Sequence, residues 1–153
     1  SVTTIDIAPP ADIVADFMTA DLGVEFDAVW ASHVLEHQPN VNAFLVRCRH
    51  HLRPGGVLAV TVPPAKHNIV GGHLTLWNAG LLIYNLILAG FDCSQAAIGS
   101  YGYNISVLVR KSNAPLVLPA LRYDEGDIET LARYFPVRVK QGFDGQLANV
   151  GWD

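Results

Sequence analysis

The sequence predicts an α/β fold built on a mainly parallel β-sheet. Two nearly continuous apolar runs carry that expectation, "FDAVWAS" at 26–32 and "VLAVTVP" at 57–63. Between them, Val41, Phe44, Leu45, Cys48 and Leu52 fall on one face of a helix. Continuous apolar strands are those covered on both faces, and strand–helix–strand order sets two strands parallel.

Taken in order, "VTTIDI" is a short β-rich run ending near Asp6, and "APP" breaks it. "DIVADF" is a second short run, ending near Asp16. "FDAVWAS" is the third strand. Asn40 is placed to cap the helix that follows, because its side-chain oxygen can take a free amide of the first turn. Arg47, Arg49, His50, His51 and Arg53 crowd that helix's last turns, where positive charge suits the dipole, and Pro54-Gly55-Gly56 stops it. After the strand 57–63 comes a polar, Gly-containing loop, "AKHNIVGGH". A helix over 75–89 follows, apolar nearly all round, so it is either deeply buried or a face for a homodimer. "SQAAIGSYG" and "NISVLVRK" read as two strands joined by a Gly-Tyr-Asn turn. Their hairpin makes one sheet edge antiparallel. Residues 1–111 then form the α/β domain. Residues 112–153 form a C-terminal extension packed on it: a Pro-punctuated linker, a helix over Ile128 to Phe135, a possible edge strand "VRVKQGF", and a loose tail.

The 153 residues suffice for one hydrophobic core, and a composition half hydrophobic and only 16% charged excludes a disordered chain. A net charge of −4 gives no global attraction to nucleic acid or to an anionic membrane. Two cysteines, Cys48 and Cys93, make no metal or disulfide framework and read as reduced thiols, which with no basic, apolar leader at "SVTTIDIAPP" points to the cytoplasm. The longest apolar tract is short for a membrane span and is broken by Asn78, Gly80 and Asn85.

The stretch "FDAVWASHVLEHQPNVNAFLVRCRHHLRPGGVLAVTVPP" resembles the centre of a class I S-adenosylmethionine-dependent methyltransferase. That family has a strand opening on Phe-Asp, a Leu-Glu-His, a helix, a Leu-x-Pro-Gly-Gly stop and a strand ending near Pro. The likeness runs from residue 1 to about 110 and implies a Rossmann-like methyltransferase fold. It implies S-adenosylmethionine as cofactor, with Asp6 at the ribose and Asp16 at the adenine. A small-molecule or glycan-like acceptor is the expected partner. The family's helix stop is Arg-x-Leu-x-Pro-Gly-Gly, and here it is "HHLRPGG", with His where the family usually has Arg-Val. The resemblance begins at the family's second strand, and no glycine precedes Asp6. The expected sheet therefore lacks the family's first strand, its helix and the glycine-rich turn that lets backbone approach the cofactor.

His33-Val34-Leu35-Glu36-His37 then lies at the carboxyl end of a strand, where open α/β sheets bind ligands. Two branches of the family hold a divalent metal here with Glu-x-x-Glu-His and a downstream His. By that resemblance His33, Glu36, His37 and His73 are candidate ligands, with His33 in place of the first Glu. Three imidazoles and one carboxylate suit zinc or another transition metal better than magnesium. His33, His37 and His73 are also the candidates for base or acceptor positioning. The plainer alternative is that Glu36 and His37 brace the helix start. Two further readings stand beside the enzyme: a methyltransferase-like binding or scaffold module without cofactor, and a metal-dependent hydrolase using His33, Glu36 and His37, since H-x-x-E-H is also a zinc-hydrolase signature. The strand in front of His33 argues against the continuous helix a hydrolase needs. Cys48 reads as a core residue, His50 and His51 as helix-end dressing, and Tyr101, Tyr103 and Asn104 as packing.

Overall fold

The computed structural model describes residues 1–152. Six strands form: β1 (Ile5–Asp6), β2 (Ile13–Val14), β3 (Phe26–Ser32), β4 (Leu52–Val62), β5 (Ala97–Tyr101) and β6 (Asn104–Arg110). Helix α1 spans Val41–His50, α2 spans Ala79–Leu88, and α3 spans Asp127–Thr130. Short 3-10 turns cover Leu35–His37 and Ala132–Tyr134.

Strands β3 to β6 make one sheet in the order β3-β4-β6-β5. β3 and β4 are parallel, and β6 is antiparallel to both β4 and β5. Three strands therefore point one way and β6 alone is reversed, so the sheet is mainly parallel with a hairpin at its edge. β1 and β2 pair parallel in a separate two-stranded sheet. Asp12 braces that pair: its Oδ2 accepts from Thr4 N at 2.7 Å and from Thr4 Oγ1 at 2.9 Å. These bonds favour the carboxylate and hold its pKa below the usual value.

Cross-strand register sorts the sheet into two faces. Val29 and Ala31 of β3, Leu58, Val60 and Val62 of β4, and Ile105, Val107 and Val109 of β6 share one face. Helices α1 and α2 cover it with Phe44, Leu45, Cys48, Leu82, Ile83, Leu86 and Ile87, all buried. Burying a Leu or Ile side chain is worth roughly 2 kcal/mol, so this layer dominates the stability. The other face carries Trp30, Ala59 and Leu108 in one row and Ser32, Thr61 and Ser106 in the next. Trp30 is 78% exposed there. β3 was expected to be covered on both faces, but both long helices pack on one side only.

The sequence expectations need further corrections. α2 begins at Ala79 rather than at 75, because Asn78 caps it by accepting the Leu81 amide at 2.8 Å. Ala79, Leu82, Ile83, Leu86 and Ile87 of α2 are buried within the chain, and Leu81 is left 42% exposed. The last helix is broken into α3 and a 3-10 turn, and "VRVKQGF" is not a strand. The tail is packed rather than loose. Val150 bridges Ile98 of β5, and Trp152 stacks on Tyr101 with ring centroids 6.0 Å apart. Pro54, Gly55 and Gly56 do not stop α1, which ends on His51; they open β4, with Gly55 at φ +77°.

Candidate functional site

The site begins where β3 runs out. His33 N extends the parallel ladder by donating to Thr61 O at 2.9 Å. His33 then adopts φ 54°, a left-handed conformation that a residue with a Cβ rarely takes. The chain leaves the sheet there and folds into the turn Leu35–His37. Leu35 and Glu36 of this turn are buried. The Glu36 carbonyl accepts the amides of Leu74 and Thr75, at 2.7 and 3.3 Å, and so pins the loop 65–78 across the turn. That loop delivers His73 to His37, with ring centroids 5.1 Å apart and edge-to-face.

Glu36, His37 and His73 thus converge, with one potential ligand atom from each within 4.8 Å of the others. Glu36 is fully buried. Its Oε1 takes the His33 Nδ1 proton at 3.2 Å and lies 3.9 Å from His37 Nε2. Its Oε2 is buried with no partner among the described residues. His37 Nδ1 meets the Gly72 carbonyl at 2.9 Å. A carbonyl only accepts, so Nδ1 carries the proton and Nε2 keeps the lone pair. Ligating histidines are oriented this way, with the far ring nitrogen donating to a backbone carbonyl. Gly72 sits at φ +74°, and a Cβ there would come within 3.2 Å of His37 Nδ1. The loop therefore passes close to the ring only because residue 72 lacks a side chain.

The lone pair of His37 Nε2 faces a buried carboxylate whose second oxygen is unserved. Two acceptors facing each other in a low-dielectric setting repel unless a proton or a cation lies between them. The donor set, two imidazoles and one carboxylate, fits zinc or a similar transition ion. His33 is not part of this grouping, although its Nδ1 meets the same Glu36 Oε1 that His37 Nε2 approaches. Its Nε2 lies 2.9 Å from Asn104 Oδ1, at the start of β6. The hydrolase reading needs His33 and His37 one turn apart on an α-helix. The structure has a left-handed residue and a 3-10 turn there instead.

Asp6 and Asp16 lie elsewhere, at the ends of β1 and just past β2. Both are exposed, and each turns one carboxylate oxygen to an amide two residues on, Ala8 N at 2.9 Å and Met18 N at 2.8 Å. Cys48 is buried under α1, and desolvation pushes its thiol up to about 12, which leaves it unfit as a nucleophile. Asn104, Gly72 and Trp77 escaped sequence reasoning as site residues. Asn104 and Gly72 are 71 and 35 residues from the histidines they hold, and no spacing rule links them.

A cavity of about 420 Å³ lies between the end of β4, the start of α2 and the β5–β6 turn, lined by none of the triad residues. Pro64, Trp77, Asn78, Tyr101, Asn104 and Leu147 line it. Asn104 thus joins the cavity to His33 and, through His33, to Glu36. No helix among the described residues is long and apolar enough to cross a membrane.

The family model for methyltransferase domains matches residues 1–60. No curated protein sequence matches the chain. Among solved structures, the Burkholderia thailandensis 1,6-didemethyltoxoflavin-N1-methyltransferase, with bound 1,6-didemethyltoxoflavin and S-adenosylhomocysteine, superposes with a TM-score of 0.59 at 16% identity over 71% of this chain and 60% of that one. The N-methyltransferase NodS from Bradyrhizobium japonicum, in complex with S-adenosylhomocysteine, gives 0.54 at 16% identity over 70% of this chain and 64% of that one. Human N-acetylserotonin methyltransferase in complex with S-adenosylmethionine gives 0.54 at 19% identity over 65% of this chain and 33% of that one. This chain therefore aligns with 64% or less of the length of each. Identities this low establish the fold. The chain thus has the fold of S-adenosylmethionine-dependent methyltransferases, and its first 60 residues match the family model of methyltransferase domains.

Proposed function

We propose that this domain takes part in methyl transfer from S-adenosylmethionine to a small-molecule or glycan-like acceptor. In this reading Glu36, His37 and His73 stand beside the reacting centre and hold a divalent transition metal. The observation that carries it is the convergence of one potential ligand atom from each of these three side chains within 4.8 Å, after the carboxyl ends of β3 and β4, at a fully buried carboxylate that keeps one oxygen without a partner among the described residues. S-adenosylmethionine, when bound, supplies a methyl group activated on a sulfonium.

The chain's own residues would do the rest. Asp6, exposed with one oxygen engaged by the Ala8 amide, would take ribose hydroxyls, and Asp16 the adenine. The glycine cradle is not among residues 1–22, so the fit to the cofactor rests on these acids and on the fold. The metal would fix the acceptor oxygen or nitrogen by Lewis acidity. Without metal, the free Nε2 of His37 is a nitrogen able to take the acceptor's proton, and Glu36 would stabilise the imidazolium that results. The two uses of that lone pair exclude one another. Pinning His37 through Gly72, and Glu36 through His33, would keep both groups oriented before the acceptor arrives.

Calorimetric titration with S-adenosylmethionine tests the cofactor half, and micromolar binding is expected. Absence of heat and of thermal shift at millimolar ligand would overturn it and leave a binding module of methyltransferase fold. Elemental analysis of purified protein tests the metal half. About one equivalent of transition metal is expected in the native chain, and it should be lost in His73→Ala and Glu36→Gln. Equal metal content in all three proteins would remove the proposed ligands.

A further inference from the structure

The four-stranded sheet has two edges, and they are not alike. The edge at β5 is closed by the chain itself. Val150 exchanges both backbone hydrogen bonds with Ile98, and Asn149 Oδ1 accepts the Ser100 amide at 2.8 Å. The other edge is β3, which pairs with β4 alone. Successive residues of a strand turn their backbone groups to opposite edges. The His33 amide is bound to Thr61 of β4, so Ala31 and Val29 face β4 as well. Ala28, Trp30 and Ser32 therefore turn their amides and carbonyls outward. None of these groups meets a partner among the described residues.

Soluble proteins blunt an open edge with Lys, Pro, a bulge or a covering segment. β3 holds no Lys and no Pro, and its single charge, Asp27, is paired with Arg53 at 2.6 Å. Its one irregularity, between Phe26 and Ala28, leaves the register from Ala28 to Ser32 unbroken. All three outward residues are exposed, and Trp30 at their centre is 78% exposed.

We propose that two copies of this chain pair through β3, antiparallel about a two-fold axis at Trp30, and join their sheets edge to edge. In that register Trp30 of one copy lies opposite Trp30 of the other, and Ala28 lies opposite Ser32. Every outward amide then finds a carbonyl of the second copy, and the two indoles cover one another. The outward triplet is thus complementary to itself. Because the β5 edge is closed, the contact is the same patch on both copies, and assembly stops at two. An edge this short makes a small interface, so a dissociation constant on the order of 100 µM is expected.

Sedimentation equilibrium tests the pairing. The native chain should be monomeric at about 10 µM and mostly dimeric near 1 mM. Trp30→Lys and Trp30→Glu each set like charges opposite one another across the axis. Each alone should stay monomeric near 1 mM, with a native melting temperature, since the position is exposed. Mixed in equal amounts, the two variants should regain the dimer, because a contact of residue 30 with residue 30 pairs their charges. Leu81→Lys, on the exposed side of α2, should dimerise as the native chain does. A native chain that is monomeric near 1 mM would overturn the proposal and leave the edge to a different strand. A dimer that survives both Trp30 substitutions, or one lost in Leu81→Lys, would place the interface elsewhere. A mixture that stays monomeric would overturn the pairing at Trp30.

Discussion

Glu36 is enclosed by protein with one carboxylate oxygen served by His33 and the other by nothing among the described residues. An unpaired buried polar atom costs on the order of 1–3 kcal/mol, and more when charged. Glu36→Gln keeps the shape and removes the charge. In the presence of a chelator this variant is expected to melt a few degrees higher than the native chain. Added zinc should raise the melting temperature of the native protein and leave Glu36→Gln unmoved, as read by thermal shift. An equal zinc-dependent rise in both would show that Glu36 is not a ligand. His33 adds a second cost, since a left-handed residue with a Cβ is strained by about 1–2 kcal/mol. Strained residues of this kind cluster at active sites, ligand clamps and switch regions. The spacing His-x-x-Glu-His was visible in the sequence, and resemblance pointed to His73. What no pattern could show is that His33 pairs with Glu36 and Asn104 instead of joining His37 and His73, because Asn104 is 71 residues away.

At the scale of elements, α2 is anchored at its N-terminus by the C-terminal extension. Asn78 accepts the Leu81 amide and donates to the Asp144 carbonyl at 3.0 Å, and Gly80 N donates to Gly145 O at 2.8 Å. A Cβ on Gly80 would stand 2.5 Å from Gly145 Cα and 2.6 Å from the Phe143 ring. Helix propensity alone favours Gly80→Ala by up to about 1 kcal/mol. The backbone of the strap cannot yield cheaply, so packing should win, and chemical denaturation should show Gly80→Ala less stable than the native chain. A stabilised variant would mean that the strap is not docked. Asn78→Ala should cost about 1 kcal/mol for the cap alone, and more if the strap lifts with it. The helix cap at Asn40 and the β3–α1–β4 order were legible because capping and apolar spacing are local. The start of α2 was misplaced by four residues, because Thr75, Leu76 and Trp77 are apolar enough to continue the pattern. Thr75 is instead held by the carbonyl of Glu36, and Trp77 bridges Pro64 with its carbonyl taking the Ala65 amide, partners distant in sequence.

For the whole molecule, the main core is one-sided: α1 and α2 bury one face of the four-stranded sheet, while on the opposite face Trp152 packs on Gly99 and Tyr101 and Trp30 stays open to solvent. Continuous apolar strands read as doubly covered, but sequence period cannot say which cover is present. Both thiols lie on the covered side, in Cys48 of α1 and Cys93 after α2, fully buried. Desolvation pushes Cys48 up to about 12 and raises Cys93 in the same direction. The folded values lie above those of the unfolded chain, so the thiols leave stability untouched below about pH 9, and stability falls as pH rises past it. By pH 10.5 each thiol removes roughly 2 kcal/mol, because only the unfolded chain releases its proton. Tyr84, raised chiefly by desolvation, acts in the same sense at higher pH. Urea unfolding at pH 8 and 10.5 should therefore show a steep alkaline loss. Cys48→Ala with Cys93→Ala should start lower, from lost packing, and lose markedly less between the two pH values. At pH 8 the native thiols should react with a disulfide reagent only as fast as the chain unfolds. Rapid labelling of either thiol in the native state, or an alkaline slope that survives the double substitution, would place the thiols outside a closed core and contradict the one-sided packing.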